Sequence, residues 1–377
     1  MANLAVLALS PLPYAGVAVS VANGKASRYD RPDFNVPTLR TYIGHMEQLG
    51  ALSTLPAIFR QQRTIIAPTP MFTDMLQRHG VTADDFGRAI GRETVELWSK
   101  RTRIRERLDG TEIEEQTRGK ELVDYQDTEE TLRLRREMEI INRVLSNADL
   151  RLDGKRMPAA HMVRKFRIEH PTDPHAFSRH GRLYGGWWQD LSREYRHLLT
   201  INGEPACDLD YSSAFVRLGY LRQGIEPPPG DLYAIPGLEG HRDAVKELMV
   251  SLFFRQSAAK KLPRGIAERL PSGWTMQRFK AAAVALHPEL APLFDTDVGF
   301  ELMHAESRML VAVLLQLAGR GIVALGMHDG IMVAQSAREG AIAAMVETSR
   351  AQLGHSLPVV EKAIIRPMAA IPSAMDL

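Results

Sequence analysis

Two segments far apart in the chain each read as strand, tight turn, strand, and each brings an aspartate to a strand end. In the first, His197–Ile201 and Pro205–Asp210 flank Asn202-Gly203, a dipeptide that suits a two-residue hairpin turn because both positions tolerate positive φ. In the second, Ile322–Met327 and Ile331–Gln335 flank His328-Asp329-Gly330. If the two hairpins share one sheet, Asp210 and Asp329 converge on one rim. Two hard carboxylates there suit Mg²⁺ or Mn²⁺, with water and phosphate oxygens completing the shell, and two ions about 4 Å apart would stabilise in-line phosphoryl transfer.

Helices are expected around these hairpins: about Ser212–Arg222, about Arg242–Phe254 after the break at Pro227–Gly230, and a long apolar one, about Phe300–Leu317, ending at Gly319. Ser336 to Glu339 has the spacing of a capping box that opens a last helix. Upstream, Leu39, Ile43, Met46 and Leu49 fall at helical spacing within about Thr38–Leu52, and Arg60–Thr69 reads as a strand with basic ends. A helix followed by a basic β-wing describes a winged helix, and a small helical cap on the main domain fits the same pattern. Residues 83–150 read as charged and helical, with Asp127 or Thr128 capping a helix whose Leu134, Met138, Ile141 and Leu145 form one stripe. Pro158, Pro171 and Pro174 place a connection within 150–178. The expected division is a mostly helical N-terminal part, an arm with a winged-helix-like unit (1–82), then a helical region (83–177) and a mixed α and β region (178–377).

Composition narrows the class. An apolar fraction of 45% and a charged fraction of 24% are those of a soluble globular chain and argue against disorder, collagen-like repeats or coiled coil. Cys207 stands alone, so no intramolecular disulfide and no Cys-rich zinc site can form, and a reducing, cytoplasmic setting is the expectation. Residues 1–24 carry no positive charge and include Pro11 and Pro13, which reads as an arm rather than a secretion signal. No apolar run is long enough for a membrane-spanning helix. The net charge of +2 says little, but residues 151–200 hold ten Lys or Arg, Arg179 and Arg182 among them, against five Asp or Glu. Such a cluster suits a phosphate-facing surface.

The run Asp210-Tyr211-Ser212-Ser213-Ala214-Phe215-Val216-Arg217 resembles motif A of the DNA polymerase I family (family A), and Met327-His328-Asp329-Gly330 resembles its motif C. Both are also similar to the single-subunit phage-type RNA polymerases. Between them, Arg242, Lys246 and Phe254 have the spacing of motif B on the fingers helix. Gly181-Arg182-Leu183 and Asp231-Leu232-Tyr233 resemble the elements that precede and follow motif A. Their order matches the family's, over about residues 178–355.

The resemblance implies an α+β right-hand polymerase with palm, compact fingers (about 231–298) and a helical, thumb-like region over 83–177, acting on a DNA primer-template with nucleoside triphosphates. It implies that Asp210 and Asp329 ligate Mg²⁺, joined by the backbone carbonyl of Tyr211. Arg242 and Lys246 would grip the triphosphate, and Phe254 would stack near the incoming nucleotide. Arg182 would touch the primer terminus, His328 would sit beside the primer 3′ end, and His304 would contact the duplex. Phe215 replaces the motif A glutamate, where a bulky ring would still exclude a 2′-hydroxyl and favour dNTPs. Gly330 replaces Glu or Ser, and Phe254-Arg255 replaces Tyr-Gly.

Replication of a phage, plasmid or mobile element fits the size. A primase or RNA polymerase on the same scaffold, or a non-catalytic DNA-binding replication initiator, are the alternatives. In isolation, Asp210 equally suits a helix cap, Asp329-Gly330 a plain turn, Arg242 and Lys246 a solvated helix face, and Phe254 core. Trp187 and Trp188 suit base stacking or packing beneath a sheet.

Overall fold

The described chain builds three sheets, of three, seven and four strands. The computed structural model describes residues 2–9, 16–19, 36–56, 64–82, 85, 93–106, 112–259 and 261–364.

The N-terminal part comprises α1 (Ala2–Leu9), β1 (Val17–Val19), α2 (Val36–Gln48), β2 (Leu52–Leu55), β3 (Thr64–Pro68) and α3 (Pro70–Arg78). Its strands pair antiparallel in the order β1-β3-β2, over a small core that includes Leu4, Leu52, Ile66, Phe72 and Leu76. This part is mixed rather than mostly helical. Helix α2 stops short of the expected Leu52 because Gly50 takes φ +71 and the chain turns directly into β2. The Arg60 end of the expected wing lies outside the described residues.

Next come β4 (Val95–Glu106), β5 (Glu112–Leu122), α4 (Glu129–Asn147), β6 (Leu150–Leu152), β7 (Lys155–Arg156), β8 (Val163–Arg167) and β9 (His180–Tyr184). The expectation of a helical region over 83–177 is overturned here. Val95, Leu97 and Ser99 are buried while Glu96, Trp98 and Lys100 are not, a strict period of two that makes β4 a strand. Strand β4 pairs antiparallel with β5 and parallel with β8, giving the sheet β5-β4-β8-β9. Its apolar face, with Val95, Leu97 and Phe166, packs with Tyr125, Leu134 and Phe177. Helix α4 matches its sequence reading: Thr128 caps it, and Leu134, Met138, Ile141 and Leu145 are all buried.

The remainder is β10 (Leu199–Ile201), β11 (Glu204–Tyr211), α5 (Ala214–Arg222), α6 (Arg242–Phe253), α7 (Met276–Leu286), α8 (Gly299–Gly319), β12 (Ala324–Gly326), β13 (Gly330–Ala334), α9 (Arg338–Leu353) and β14 (Val359–Lys362). With β6 and β7 its strands form a seven-stranded antiparallel sheet in the order β12-β13-β11-β10-β6-β7, and β14 lies along the second half of β11. The β10–β11 turn is the expected hairpin, with Asn202 at φ 51 and Gly203 at φ 87. Trp188 is fully buried, and its indole N–H donates to the Gly326 carbonyl at 3.0 Å, the packing role rather than the stacking one.

The capping box at Ser336 to Glu339 is not formed. Ser336 donates to Glu204 through both its backbone N–H (3.0 Å) and its hydroxyl (2.8 Å), while Glu339 pairs with Arg338. The helix starts two residues later, after a cap at Ala337. The whole is a mixed α and β fold, in agreement with the α+β expectation. Among the described residues no helix is long and apolar enough to cross a membrane.

Candidate active site

Alternation along β11 sets up the site. Cys207, Leu209 and Tyr211 turn to one face, where the Tyr211 hydroxyl donates to the Met345 carbonyl of α9 at 2.7 Å. Asp208 and Asp210 turn to the other. Asp208 is neutralised by Arg196 at 2.5 Å. Asp210 lies directly across from Gly330 in the β11–β13 ladder, and the Tyr211 N–H donates to the Asp329 carbonyl at 3.2 Å. The two aspartates that were distant in sequence are therefore neighbours on one rim.

Burial, and then the charge of Asp329, pushes the Asp210 carboxyl up to about 7, against the pull of Lys362 and Lys246. Lys362 on β14 ion-pairs with Oδ2 of Asp210, while Oδ1 is buried without a hydrogen-bond partner. Asp210 does not cap the following helix. Ser213 occupies that position in the left-handed region at φ 52, a strained conformation for a residue with a Cβ. Arg217, also buried, holds the turn in place by donating to the carbonyls of Ser212, Pro228 and Gly230.

Packing explains the glycine at position 330. A Cβ there would stand 2.3 Å from the Leu209 carbonyl oxygen and 2.9 Å from Oδ1 of Asp210. Backbone cannot yield as a flexible side chain does, so Gly330→Ala is expected to lower unfolding free energy by about 1–3 kcal/mol. Chemical denaturation checks this, and an unchanged midpoint would contradict the close approach.

Behind the rim lies a second charged pair. Arg182 on β9 donates to Oε2 of Glu306 on α8 at 2.9 Å and 2.5 Å, and Glu306 is fully buried. Burial, opposed by Arg182, pushes Glu306 up to about 8, with Asp329 and Asp210 adding to the rise. His328 lies against Tyr184 at 5.8 Å; its Nδ1 is buried without a partner, and burial and then Arg182 lower its pKa. Arg182, His328, Asp329 and Asp210 thus form one cluster.

Helix α6 presents the cations. Arg242 and Lys246 are both exposed, one turn apart. Arg242 is held by Asp231 at 2.8 Å and 3.1 Å and lies 5.2 Å from the Tyr233 ring centroid. Lys246 has no hydrogen-bond or ion-pair partner among the described residues, and its charge is felt at Asp210. Phe254 ends the helix and contacts Phe215 at 5.4 Å and Phe300 at 5.0 Å. Gly299 leaves room for that ring, since a Cβ there would stand 2.6 Å from it.

Two expected nucleic-acid contacts are engaged elsewhere. Arg179 is tied to Asp297 at 2.6 Å. His304 packs beside Phe166 at 6.0 Å and lines a separate cleft between α4 and α8 with Glu137, Arg164 and Arg308. Burial lowers both His304 and His180 to about 4. An unfolded histidine takes a proton near pH 6.5, so the unfolded state binds more protons between about 6.5 and 4 and stability falls as pH drops through that window. The double variant His180→Gln/His304→Gln is expected to lose on the order of 2 kcal/mol of that dependence per site, read from unfolding midpoints at both ends of the window.

Glu306, Lys362 and Tyr184 were missed in the sequence. Glu306 gives one signal, an acid inside the apolar run of α8, whereas Lys362 gives none, because only the placement of β14 brings it to Asp210. Among the described residues no group of three or more His, Cys, Asp or Glu is arranged to hold a metal. The Asp210–Asp329 pair nonetheless fits a divalent cation in part. One buried oxygen has no partner, a lysine ammonium already balances the other, and further ligands would come from water, phosphate and backbone carbonyl.

No family model matches the chain, and no curated protein matches it. Among solved structures, the POL domain of Pol1 from M. smegmatis in complex with DNA primer-template and dNTP is similar at 12% identity and a TM-score of 0.35, over 62% of this chain. The chain spans half the length of that domain.

Proposed function

We propose that the chain is a template-directed nucleotidyltransferase, a small polymerase that extends a primer 3′-hydroxyl with dNTPs. The observation that carries this reading is the β11–β13 register, which sets Asp210 opposite Gly330, next to Asp329, with one carboxylate oxygen left unpartnered. In this reading the seven-stranded sheet is the palm and α6 the fingers helix. Asp210 and Asp329, with the backbone carbonyl of Tyr211, would hold Mg²⁺. The bound ion would supply charge neutralisation at the transferring phosphate and a lowered pKa for the attacking hydroxyl.

The chain's own residues do the rest. Lys246 and Arg242, on one face of α6, bind the triphosphate, and Arg242 exchanges Asp231 for phosphate as it does so. Phe254 and Phe215 wall the sugar, excluding a 2′-hydroxyl. Arg182, oriented by Glu306, and His328 face the primer end.

The test is incorporation of labelled nucleotide by the purified protein with Mg²⁺, comparing dNTPs with NTPs on primed and unprimed templates. Extension of the primer with dNTPs is expected. Unprimed incorporation of NTPs would assign a primase or RNA polymerase instead, and DNA binding without incorporation under any condition would overturn the enzyme reading.

A further inference from the structure

The sheet β5-β4-β8-β9 has two unlike faces. One is the apolar face already described; the other floors a cleft of about 910 Å³, large for a small-molecule pocket. Lys100, Lys120, Lys165 and Arg167 line the cleft with the rings of Trp98 and Tyr184, and among the described residues no carboxylate lines it. Lys100 and Lys120 stand directly opposite each other in the β4–β5 ladder. Like charges so placed destabilise a sheet, so this arrangement costs folding energy that an anion would return.

Among the described residues the neighbouring carboxylates are too few to neutralise these cations. Glu169 is shared by Lys100 at 2.7 Å, Arg167 at 3.2 Å and Arg179 at 3.8 Å. Glu96 serves both Lys165 at 3.3 Å and the Trp98 indole N–H at 3.0 Å. Lys120 has no hydrogen-bond or ion-pair partner among the described residues. The Lys165 ammonium lies 5.2 Å from the Trp98 ring centroid and 5.1 Å from that of Tyr184, which places charge and ring faces within one nucleotide's reach. Tyr184, which lines the cleft, also lies ring to ring 5.8 Å from His328, the residue before Asp329.

We infer that this sheet face is a binding platform for single-stranded DNA, with bases stacked on Trp98 and Tyr184 and phosphates held by Lys100, Lys120 and Lys165. Aromatic rings among cations on a sheet recognise a strand without regard to sequence, because every base has a π-face and every linkage a charge. The inference deepens the proposed function and rests on it for the choice of DNA. It is tested by binding without metal or turnover, so a failure of catalysis and a failure of the cleft are separate results.

The experiment is fluorescence anisotropy of a 3′-labelled dT12 oligonucleotide with the full chain, as a function of salt. Lys100→Gln/Lys120→Glu is expected to weaken binding about tenfold or more at low salt and to reduce the log–log salt slope by about 1.4, two contacts at 0.7 each. Trp98→Leu is expected to weaken it about fivefold or more. Should Trp98→Leu fail to fold by circular dichroism, the surface lysine variant decides. A 5-iodo-dU strand, irradiated on the wild-type chain, is expected to crosslink at Trp98 or Tyr184. Crosslinks only outside this sheet, or lysine-variant binding within twofold of wild type, would overturn the platform. Displacement of dT12 by an equal concentration of dTTP would also overturn it, assigning the cleft to free nucleotide.

Discussion

If the proposed function holds, Asp210→Asn and Asp329→Asn are each expected to abolish measurable primer extension, with a loss of about 10³-fold or more, while the protein stays folded. The magnitude follows from the several kcal/mol of transition-state charge stabilisation that a held divalent ion supplies, at about 1.4 kcal/mol per factor of ten. Folding is expected to survive for a local reason. Asparagine keeps the shape of aspartate and removes the repulsion between two carboxylates on one rim, and the Lys362 ammonium it releases from Asp210 is partly solvated already. Thermal midpoints within about 2 °C of wild type are therefore expected, a shift on the order of 1 kcal/mol. If both variants extend primers at wild-type rates, the rim is not a catalytic centre. If they unfold, the aspartates are structural.

Measured above pH 8, where Glu306 carries its charge, Arg182→Ala is expected to produce the largest loss of stability, about 3–5 kcal/mol, because it strands the carboxylate of Glu306 in a fully buried position without its cation. Glu306→Gln costs less, since the amide oxygen still accepts from the guanidinium and Arg182 keeps some access to solvent. The double replacement Arg182→Met/Glu306→Leu recovers most of the stability without recovering extension, because two apolar side chains of similar volume can replace a buried ion pair at little cost. Chemical unfolding of the three variants measures this, and an Arg182→Ala variant as stable as wild type would show that Glu306 is uncharged in the fold. The same comparison separates holding the sheet together from facing DNA, since only the second is lost in the double variant.

The fold was legible where one local rule decided the structure. The Asn202-Gly203 turn, the Thr128 cap with its stripe of Leu134, Met138, Ile141 and Leu145, and the long apolar helix before the second hairpin all stand where propensity and period placed them. The strands of residues 95–122 are hidden in the sequence because their dense charges mask a period of two. In β4 the alternation Val95, Leu97, Ser99 against Glu96, Trp98, Lys100 is a strand's, and charge density alone cannot distinguish a solvated helix from one face of a sheet. Ser336 and Glu339 matched a capping pattern, but Glu204, brought close by the β11–β13 pairing, competes successfully for Ser336.

Within the candidate site, the two aspartates and the cations of α6 could be picked out because their spacings are short and ordered. Their partners could not. Lys362 reaches Asp210, and Glu306 reaches Arg182, only through sheet and helix packing that brings remote segments together. Gly330 read as a departure from a motif, whereas the 2.3 Å approach of the Leu209 carbonyl makes it a steric requirement of this chain.

Strand β11 is the middle of the rim, yet its long edges are completed by residues 330–334 on one side and 359–362 on the other, both much later in the chain. During synthesis or refolding, its early neighbour β10 can zip up through the hairpin, while Cys207, Leu209 and Tyr211 wait with unpaired amides until those distant segments arrive. Contacts of such separation form slowly. The rim that gathers both aspartates is thus among the last parts of the molecule to assemble, and the interval before it closes is when the chain is most exposed to edge-to-edge association with another copy.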